Sequence, residues 1–141
     1  MDFMINMNVQ VIYFSRAGQT KKIAKAIASE CGVNPVDVCD AKLHDDVIVF
    51  LGSGCYGGKA GKEMKEFIKS SDFSSKSVAL FGTSGGGVGK EVEDMKKMLL
   101  EKGADVKGEF YCKGKFFVMN WKKPDEVDLN YAKNFAKDMI K

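Results

Sequence analysis

The stretch that decides the fold is Phe14-Ser15-Arg16-Ala17-Gly18-Gln19-Thr20. The apolar run Val9–Phe14 leads into it, and apolar residues at helical spacing follow it over residues 23–31. This order of strand, short polar segment and helix is the first unit of an α/β fold. Because the segment ends where the helix begins, it offers unpaired backbone N–H groups at the positive end of the helix dipole.

The residue types of this segment suit an anion. Ser15 and Thr20 add hydroxyl groups, and Gly18 lets the backbone come close to a ligand. Such a segment can hold a phosphate without a basic side chain. The alternative is a strand–helix turn with an ordinary cap, and the segment taken alone leaves both interpretations open.

The same strand–segment–helix unit recurs along the chain. Strands are expected at Val9–Phe14 and at residues 36–38, 47–51, 78–81 and 109–112. Apolar stripes predict the helices between and after them: Ile23, Ala24, Ile27, Ala28 and Cys31; Met64, Phe67 and Ile68; Val88, Val92, Met95 and Leu99; Leu129, Ala132, Phe135, Ala136 and Met139. The last helix is expected to open with Pro124 at its first position. The apolar stretch 116–121 fits no single element. The pattern predicts a doubly wound, five-stranded parallel sheet with helices on both faces.

Three polar or glycine-rich segments follow the first, third and fourth strands. They comprise residues 15–20, 52–58 and 82–89. In a parallel sheet these segments share the edge at the carboxyl ends of the strands, where ligands bind. Glycine in a single turn is often purely conformational. The convergence of three such segments on one edge therefore indicates a binding site better than any one of them.

Two of these segments nearly match nucleotide motifs. Residues 52–57 fit G-x-G-x-x-G, but the acid 20 residues past Gly52, Asp72, precedes the next strand instead of ending it. Residues 84–90 resemble a P-loop, but Ser84 replaces its first glycine and Glu91 stands where Ser or Thr binds magnesium. A dinucleotide fingerprint and a nucleoside triphosphatase are both disfavoured.

The composition sets further bounds. A chain of 141 residues with 45% hydrophobic and 29% charged residues suggests one soluble domain over residues 1–141, with 1–8 as a loose extension. No apolar run suits a membrane, and a net charge of +3 gives no reason to expect nucleic acid. The four cysteines form no C-x-x-C pair and the single His44 has no ligand neighbour, so no metal site is expected. Free thiols without a signal peptide suggest a cytoplasmic protein.

Taken together, the three segments resemble those of the flavodoxin family, and the resemblance covers nearly all of residues 9–141. The stretch Ser15-Arg16-Ala17-Gly18-Gln19-Thr20 is similar to that family's FMN-phosphate loop, with Ala17 in place of its middle hydroxyl residue. Ser53-Gly54-Cys55-Tyr56-Gly57-Gly58 resembles the first flavin-ring loop. Thr83-Ser84-Gly85-Gly86 resembles the second, without the aromatic residue that many flavodoxins have there.

The resemblance implies one non-covalent FMN and electron transfer between redox partner proteins, with Tyr56 stacking on the flavin. Gly57 and Gly58 can allow a peptide flip, because glycine accepts both backbone conformations. Cys55 and Cys112 are expected to be small fillers. The stretches 52–62 and 82–90 lack acids and carry Lys59, Lys62 and Lys90, so a partner with an acidic docking face is expected. An FMN-dependent NAD(P)H oxidoreductase acting on quinones, and a module that has lost its flavin, are the alternatives.

Overall fold

Parallel strands alternate with helices along the chain. The computed structural model describes residues 8–114 and 122–141. The strands in these residues are β1 Val9–Phe14, β2 Pro35–Asp37, β3 Ile48–Gly54, β4 Ser77–Ser84 and β5 Asp105–Lys113. The α-helices are α1 Gln19–Cys31, α2 Lys62–Ser70, α3 Lys90–Glu101 and α4 Glu126–Met139, and a short 3-10 helix covers Val38–Asp40.

The five strands form one parallel sheet in the order β2-β1-β3-β4-β5, so the predicted doubly wound α/β fold is confirmed. The strand order reverses direction between β1 and β3, and a switch point of this kind is where ligands bind. The pairing aligns Phe14 with Ser53 and Ser53 with Gly82. The carboxyl ends of β1, β3 and β4 therefore lie side by side, as the sequence predicts.

Alternate residues of the buried strands supply two separate hydrophobic cores. One face of the sheet, with Phe50 and Phe81, packs against Ile23 and Ile27 of α1 and Ala132 of α4. The other face carries Leu51 and Leu80 and packs against the apolar stripes of α2 and α3. The long β-branched and apolar runs of β3 and β4 are thus explained by burial on both sides.

The starts of two helices differ from the prediction. Helix α3 begins at Lys90, after Gly89 at a left-handed φ of 78°, so Val88 precedes it and is 61% exposed instead of joining the buried stripe. Helix α4 begins at Glu126, and Pro124 is not its first residue. Asp125 takes the N-cap because its carboxylate accepts from the Asp128 N–H at 3.1 Å in a capping box.

Several predicted boundaries also shift. β3 and β4 continue to Gly54 and Ser84, so the first three residues of each glycine-rich segment are strand. β2 lies one residue earlier than predicted. β5 begins at Asp105, four residues before the predicted start, and the sequence pattern does not indicate these residues because charged side chains alternate along a partly exposed edge strand. The carbonyl of Asn8 accepts from the N–H of Ile48 at 2.9 Å, which ties residue 8 to the sheet. The rest of the expected N-terminal extension, and the stretch 116–121, lie outside the described residues.

Within residues 8–114 and 122–141, no helix is both long enough and apolar enough to cross a bilayer.

Candidate cofactor-binding site

The segment between β1 and α1 is shaped as an anion site. Gly18 occupies the N-cap at a φ of 93°, and none of the described side chains caps the helix. The Ser15 hydroxyl accepts from the Gly18 N–H at 2.9 Å, which holds the turn. The first turn of α1 contains no acid, so nothing there repels a negative ligand.

Thr20 connects this segment to the end of β4. Its hydroxyl lies 2.7 Å from the hydroxyl of Thr83, and both side chains are buried. Either hydroxyl can donate. When Thr83 donates, the Thr20 proton is free for a ligand oxygen, because a hydroxyl donates one hydrogen bond and accepts others.

Tyr56 is held by both its backbone and its side chain. Its N–H donates to the Lys59 carbonyl at 2.8 Å across a tight turn in which Gly57 and Gly58 have φ values of 65° and 80°. The Tyr56 hydroxyl accepts from the backbone N–H of Arg16 at 3.1 Å. Partial burial raises the pKa of this phenol, so it remains neutral at physiological pH.

Arg16 adds a contact that the sequence did not predict. Its guanidinium carbon lies 4.4 Å from the centroid of the Tyr56 ring, and the ring edge packs against Phe14 with centroids 5.8 Å apart. The arginine and the tyrosine form a cation–π pair. One face of the Tyr56 ring therefore carries a positive charge beside the phosphate-type segment.

Two adjoining hollows lie at this edge of the sheet, with volumes of about 230 and 440 Å³. They share Cys55, Ser84 and Gly85 as lining residues. The smaller is lined by Ser15, Ala17, Gln19, Thr20, Gly54, Cys55, Tyr56, Thr83, Ser84, Gly85 and Gly114. The larger is lined by Cys55, Gly57, Gly58, Ser84, Gly85, Gly86, Val88 and Lys90.

The hollows together suit an elongated ligand with an anionic end. A Cβ atom added at Gly18, Gly57 or Gly86 would meet none of the described residues within 4 Å, so these parts of the backbone are not covered by them. Hydroxyls and a helix N-terminus gather at the smaller hollow, whereas the larger one is bordered mainly by glycine backbone. The residues present fit FMN, which carries a phosphate at one end and a flat ring at the other.

Most of the predicted site residues line these hollows, and three do not. Ser53 is fully buried and serves its own loop: its hydroxyl donates to the Gly54 carbonyl and accepts from the Gly61 N–H, both at 2.8 Å. Arg16 and Gly18 lie beside the smaller hollow as described above. Gly114, Val88 and Lys90 also line the hollows, although no sequence motif marks them as site residues.

Glu91 is the most unusual side chain next to the site. It is 0% exposed, and neither carboxyl oxygen has a hydrogen-bond partner among the described residues. A side chain at Gly82 would collide with this carboxyl, so the glycine makes room for it. Burial raises the pKa of Glu91 more than its own backbone N–H and the nearby Cys55 thiol lower it. The helical spacing of the sequence is a signal for its burial, because Glu91 lies four residues before the buried Met95 and so on the same face of α3.

The thiols near the site are not activated. Burial raises the pKa of Cys112 to about 12, and burial is also the main cause that raises the pKa of the half-buried Cys55. Cys112 is buried, as expected. A raised pKa disfavours the nucleophilic thiolate. Both thiols are therefore neutral at physiological pH.

A separate hollow of about 850 Å³ lies at the opposite edge of the sheet and is lined by residues such as Asp46, Ile48 and Ser77. It faces the amino ends of β3 and β4. Ligands of open α/β sheets bind at the carboxyl ends of the strands. The smaller pair of hollows is therefore the better candidate site.

A doubly wound parallel sheet with a phosphate-type loop and two glycine-rich loops at its switch point defines a flavodoxin-like α/β protein. The chain matches the flavodoxin domain family over residues 10–134 and belongs to that family. Flavodoxin is itself a standard example of this strand order and of ligand binding at the β1/β3 switch point.

Individual proteins give the same result. The chain is 34% identical to a flavodoxin from Clostridium beijerinckii over 144 residues, covering 91% of this chain and 99% of the relative. It is 32% identical to an uncharacterized protein from Methanocaldococcus jannaschii over 137 residues, covering 86% and 90% of the two chains. The solved structure of a flavodoxin from the domain Archaea superposes with a TM-score of 0.77 at 24% identity, covering 94% and 95%.

Proposed function

We propose that the chain binds one FMN at the carboxyl edge of the sheet and carries electrons between redox partner proteins. The observation that carries the proposal is the pair of joined hollows, one beside a helix N-terminus with hydroxyls and the other bordered by glycine-rich loops. Membership of the flavodoxin family supports it independently. Once bound, the flavin supplies the redox chemistry, and the protein supplies binding, orientation and electrostatics.

Each loop has its own part in this proposal. The Ser15–Thr20 segment (residues 15–20) holds the phosphate through the N-terminus of α1 and the Thr20 hydroxyl. Tyr56 lines the smaller hollow and lies between Cys55 and Gly57, which border the larger one, so it supports one face of the flavin ring where the two hollows meet. Its position is set by the Arg16 N–H and the Gly57-Gly58 turn. Residues 83–86 pass along the other side of the ring with little side-chain bulk.

The partner is a protein with an acidic docking face. Lys59, Lys90 and Lys113 are exposed around the larger of the two adjoining hollows, and the Lys113 side chain packs against Gly87. Neither residues 52–62 nor 82–90 contain an acid. A positive rim of this kind speeds encounter with a negative surface and makes that encounter sensitive to salt. The four free cysteines, none of them in a disulfide, are consistent with a reducing, cytoplasmic location.

A second candidate is an FMN-dependent NAD(P)H oxidoreductase that reduces quinones. One observation favours it: residues 83–89 include no aromatic side chain and Val88 is 61% exposed, so among residues 8–114 and 122–141 no aromatic ring of this loop covers the larger hollow, which leaves room for a small substrate.

Reconstitution with FMN separates the two candidates. The carrier predicts that the FMN-loaded protein oxidises NADPH with a quinone no faster than free FMN at the same concentration. It also predicts rapid reduction when a separate NADPH-dependent flavoprotein reductase is added, at a rate that falls as salt is raised. Steady NADPH oxidation with quinone and without a reductase would favour the enzyme. A salt-independent reduction rate would contradict the acidic docking face.

A further inference from the structure

Glu91 is a buried titratable group to which the proposed function gives no role. It lies in the first turn of α3, is 0% exposed and has no hydrogen-bond partner for either carboxyl oxygen among the described residues. An ionised carboxylate in such a place loses its hydration, and its own backbone N–H and the Cys55 thiol offset that loss only in part. The neutral acid avoids most of that loss.

The groups that face Glu91 do not neutralise it. The Cys55 thiol approaches from the loop after β3. An ionised Glu91 would raise the pKa of Cys55 and of Cys112 on β5, and both of these groups are neutral thiols. Gly82 on β4 presents only backbone. Among the described residues, no lysine or arginine contributes to the shift of the Glu91 pKa. Lys90, the preceding residue, packs its side chain against Gly58.

Glu91 is nevertheless close to the proposed site. Cys55, whose thiol lies next to the Glu91 carboxyl, lines both the smaller and the larger of the two adjoining hollows. Only one layer of side chains therefore separates the carboxyl from a ligand in either hollow. In such a poorly polarisable setting, charges interact more strongly than they do in water.

We propose that Glu91 carries a proton in the folded protein and that its charge state is linked to the charge of the flavin held next to it. The proposal rests on the proposed function for its second half. At a pH where Glu91 is ionised, arrival of one electron from the reductase favours uptake of one proton from solvent onto a Glu91 carboxyl oxygen. The added negative and positive charges then balance. At lower pH the acid is already neutral and does not oppose reduction.

The first test uses the apoprotein and the variant Glu91→Gln, which imitates the neutral acid in shape. Because the folded pKa is raised, both states are protonated below the ordinary glutamate pKa of about 4.3. Above it the unfolded chain releases its proton while the folded protein retains it, so wild-type stability falls with pH until the folded pKa is passed. The stability of Glu91→Gln relative to wild type should therefore rise across this window. Glu93→Gln, an exposed acid in the same helical turn, is the control and should not reproduce the rise.

Infrared spectroscopy keeps the test decisive if Glu91→Gln folds poorly. Just above the ordinary glutamate pKa, the wild-type apoprotein should show the carbonyl stretch of a protonated buried carboxylic acid, and Glu93→Gln should retain it. Absence of that band in the wild type, or the same pH profile for wild type and a folded Glu91→Gln, would overturn the proton on Glu91.

The second half is tested on the FMN-loaded protein. Its midpoint potential should fall more steeply with pH than that of Glu91→Gln, with equal slopes for wild type and Glu93→Gln. Equal slopes for wild type and Glu91→Gln would overturn the linkage. Failure of the wild type to bind FMN would instead remove the proposed function and the linkage with it, while the apoprotein measurements still decide the proton.

Discussion

Replacing Thr20 by valine tests the phosphate loop with a change of one functional group. Valine keeps the branched shape but removes the hydroxyl that lies 2.7 Å from Thr83. A hydrogen bond to a charged group contributes roughly 1.5–3 kcal/mol. Since 1.4 kcal/mol is a factor of ten in affinity, FMN binding should weaken about 10- to 150-fold. Riboflavin has no phosphate, so its affinity should change little.

Thr83→Val is the matched control for this experiment. It breaks the same buried hydroxyl pair and leaves the Thr20 hydroxyl in place. Either variant leaves one buried hydroxyl without its partner, which costs about 1–3 kcal/mol of folding stability. Both should therefore unfold at similarly reduced denaturant concentrations. Only Thr20→Val should discriminate between FMN and riboflavin.

Quenching of flavin fluorescence gives both dissociation constants for each variant. The informative quantity is the ratio of FMN to riboflavin affinity, because a general disturbance of the fold lowers both values together. An unchanged ratio in Thr20→Val would refute the assignment of the phosphate to this segment. A ratio that changed equally in Thr83→Val would show that the pair acts as a unit and that Thr20 has no separate role.

Two further predictions concern the ring and the potential. Tyr56→Ala should weaken FMN binding by roughly 1–3 kcal/mol, the scale of aromatic stacking, and raise flavin fluorescence. Tyr56→Phe should keep most of that affinity while losing the acceptor for the Arg16 N–H, and wild-type values in Tyr56→Ala would exclude Tyr56 as the platform. Replacing Lys59, Lys90 and Lys113 by glutamate should make the couple between the one-electron-reduced and fully reduced flavin more negative. A unit charge ~10 Å away contributes roughly 1–2 kcal/mol at an effective dielectric of ~20–40, or some tens of millivolts, before screening. A redox titration at low salt in which the triple variant matches the wild type would contradict this.

The sequence predicts the topology well because burial leaves a strong pattern. The apolar runs of β1, β3 and β4 are covered on both faces, and the stripes of α1 and α2 contact them as expected. The edge strand β5 is half exposed and mixes charged with apolar residues, so its first four residues give no clear strand signal. Helix starts are less predictable because they depend on local geometry, such as the left-handed turn at Gly89 that leaves Val88 outside α3.

The candidate site is predictable where it depends on the backbone and less so where side chains from different loops meet. Strand order alone brings the three loops together. The cation–π pair of Arg16 and Tyr56 joins residues 40 positions apart, and the hydroxyl pair of Thr20 and Thr83 joins residues 63 apart. The burial of Glu91 depends on the absence of a side chain at Gly82 on a neighbouring strand. Patterns within one segment do not encode such contacts.

The most direct test of FMN binding at the carboxyl edge of the sheet is amide chemical-shift mapping of the isotope-labelled apoprotein during titration with FMN. We expect the largest shifts in residues 15–20, 54–58 and 83–86, saturating at one FMN per chain. The amide shifts of Asp46, Ile48 and Ser77, which line the separate hollow of about 850 Å³ at the opposite edge, should change little. Shifts concentrated at that opposite edge, or no saturable shifts, would contradict the assignment of the FMN site.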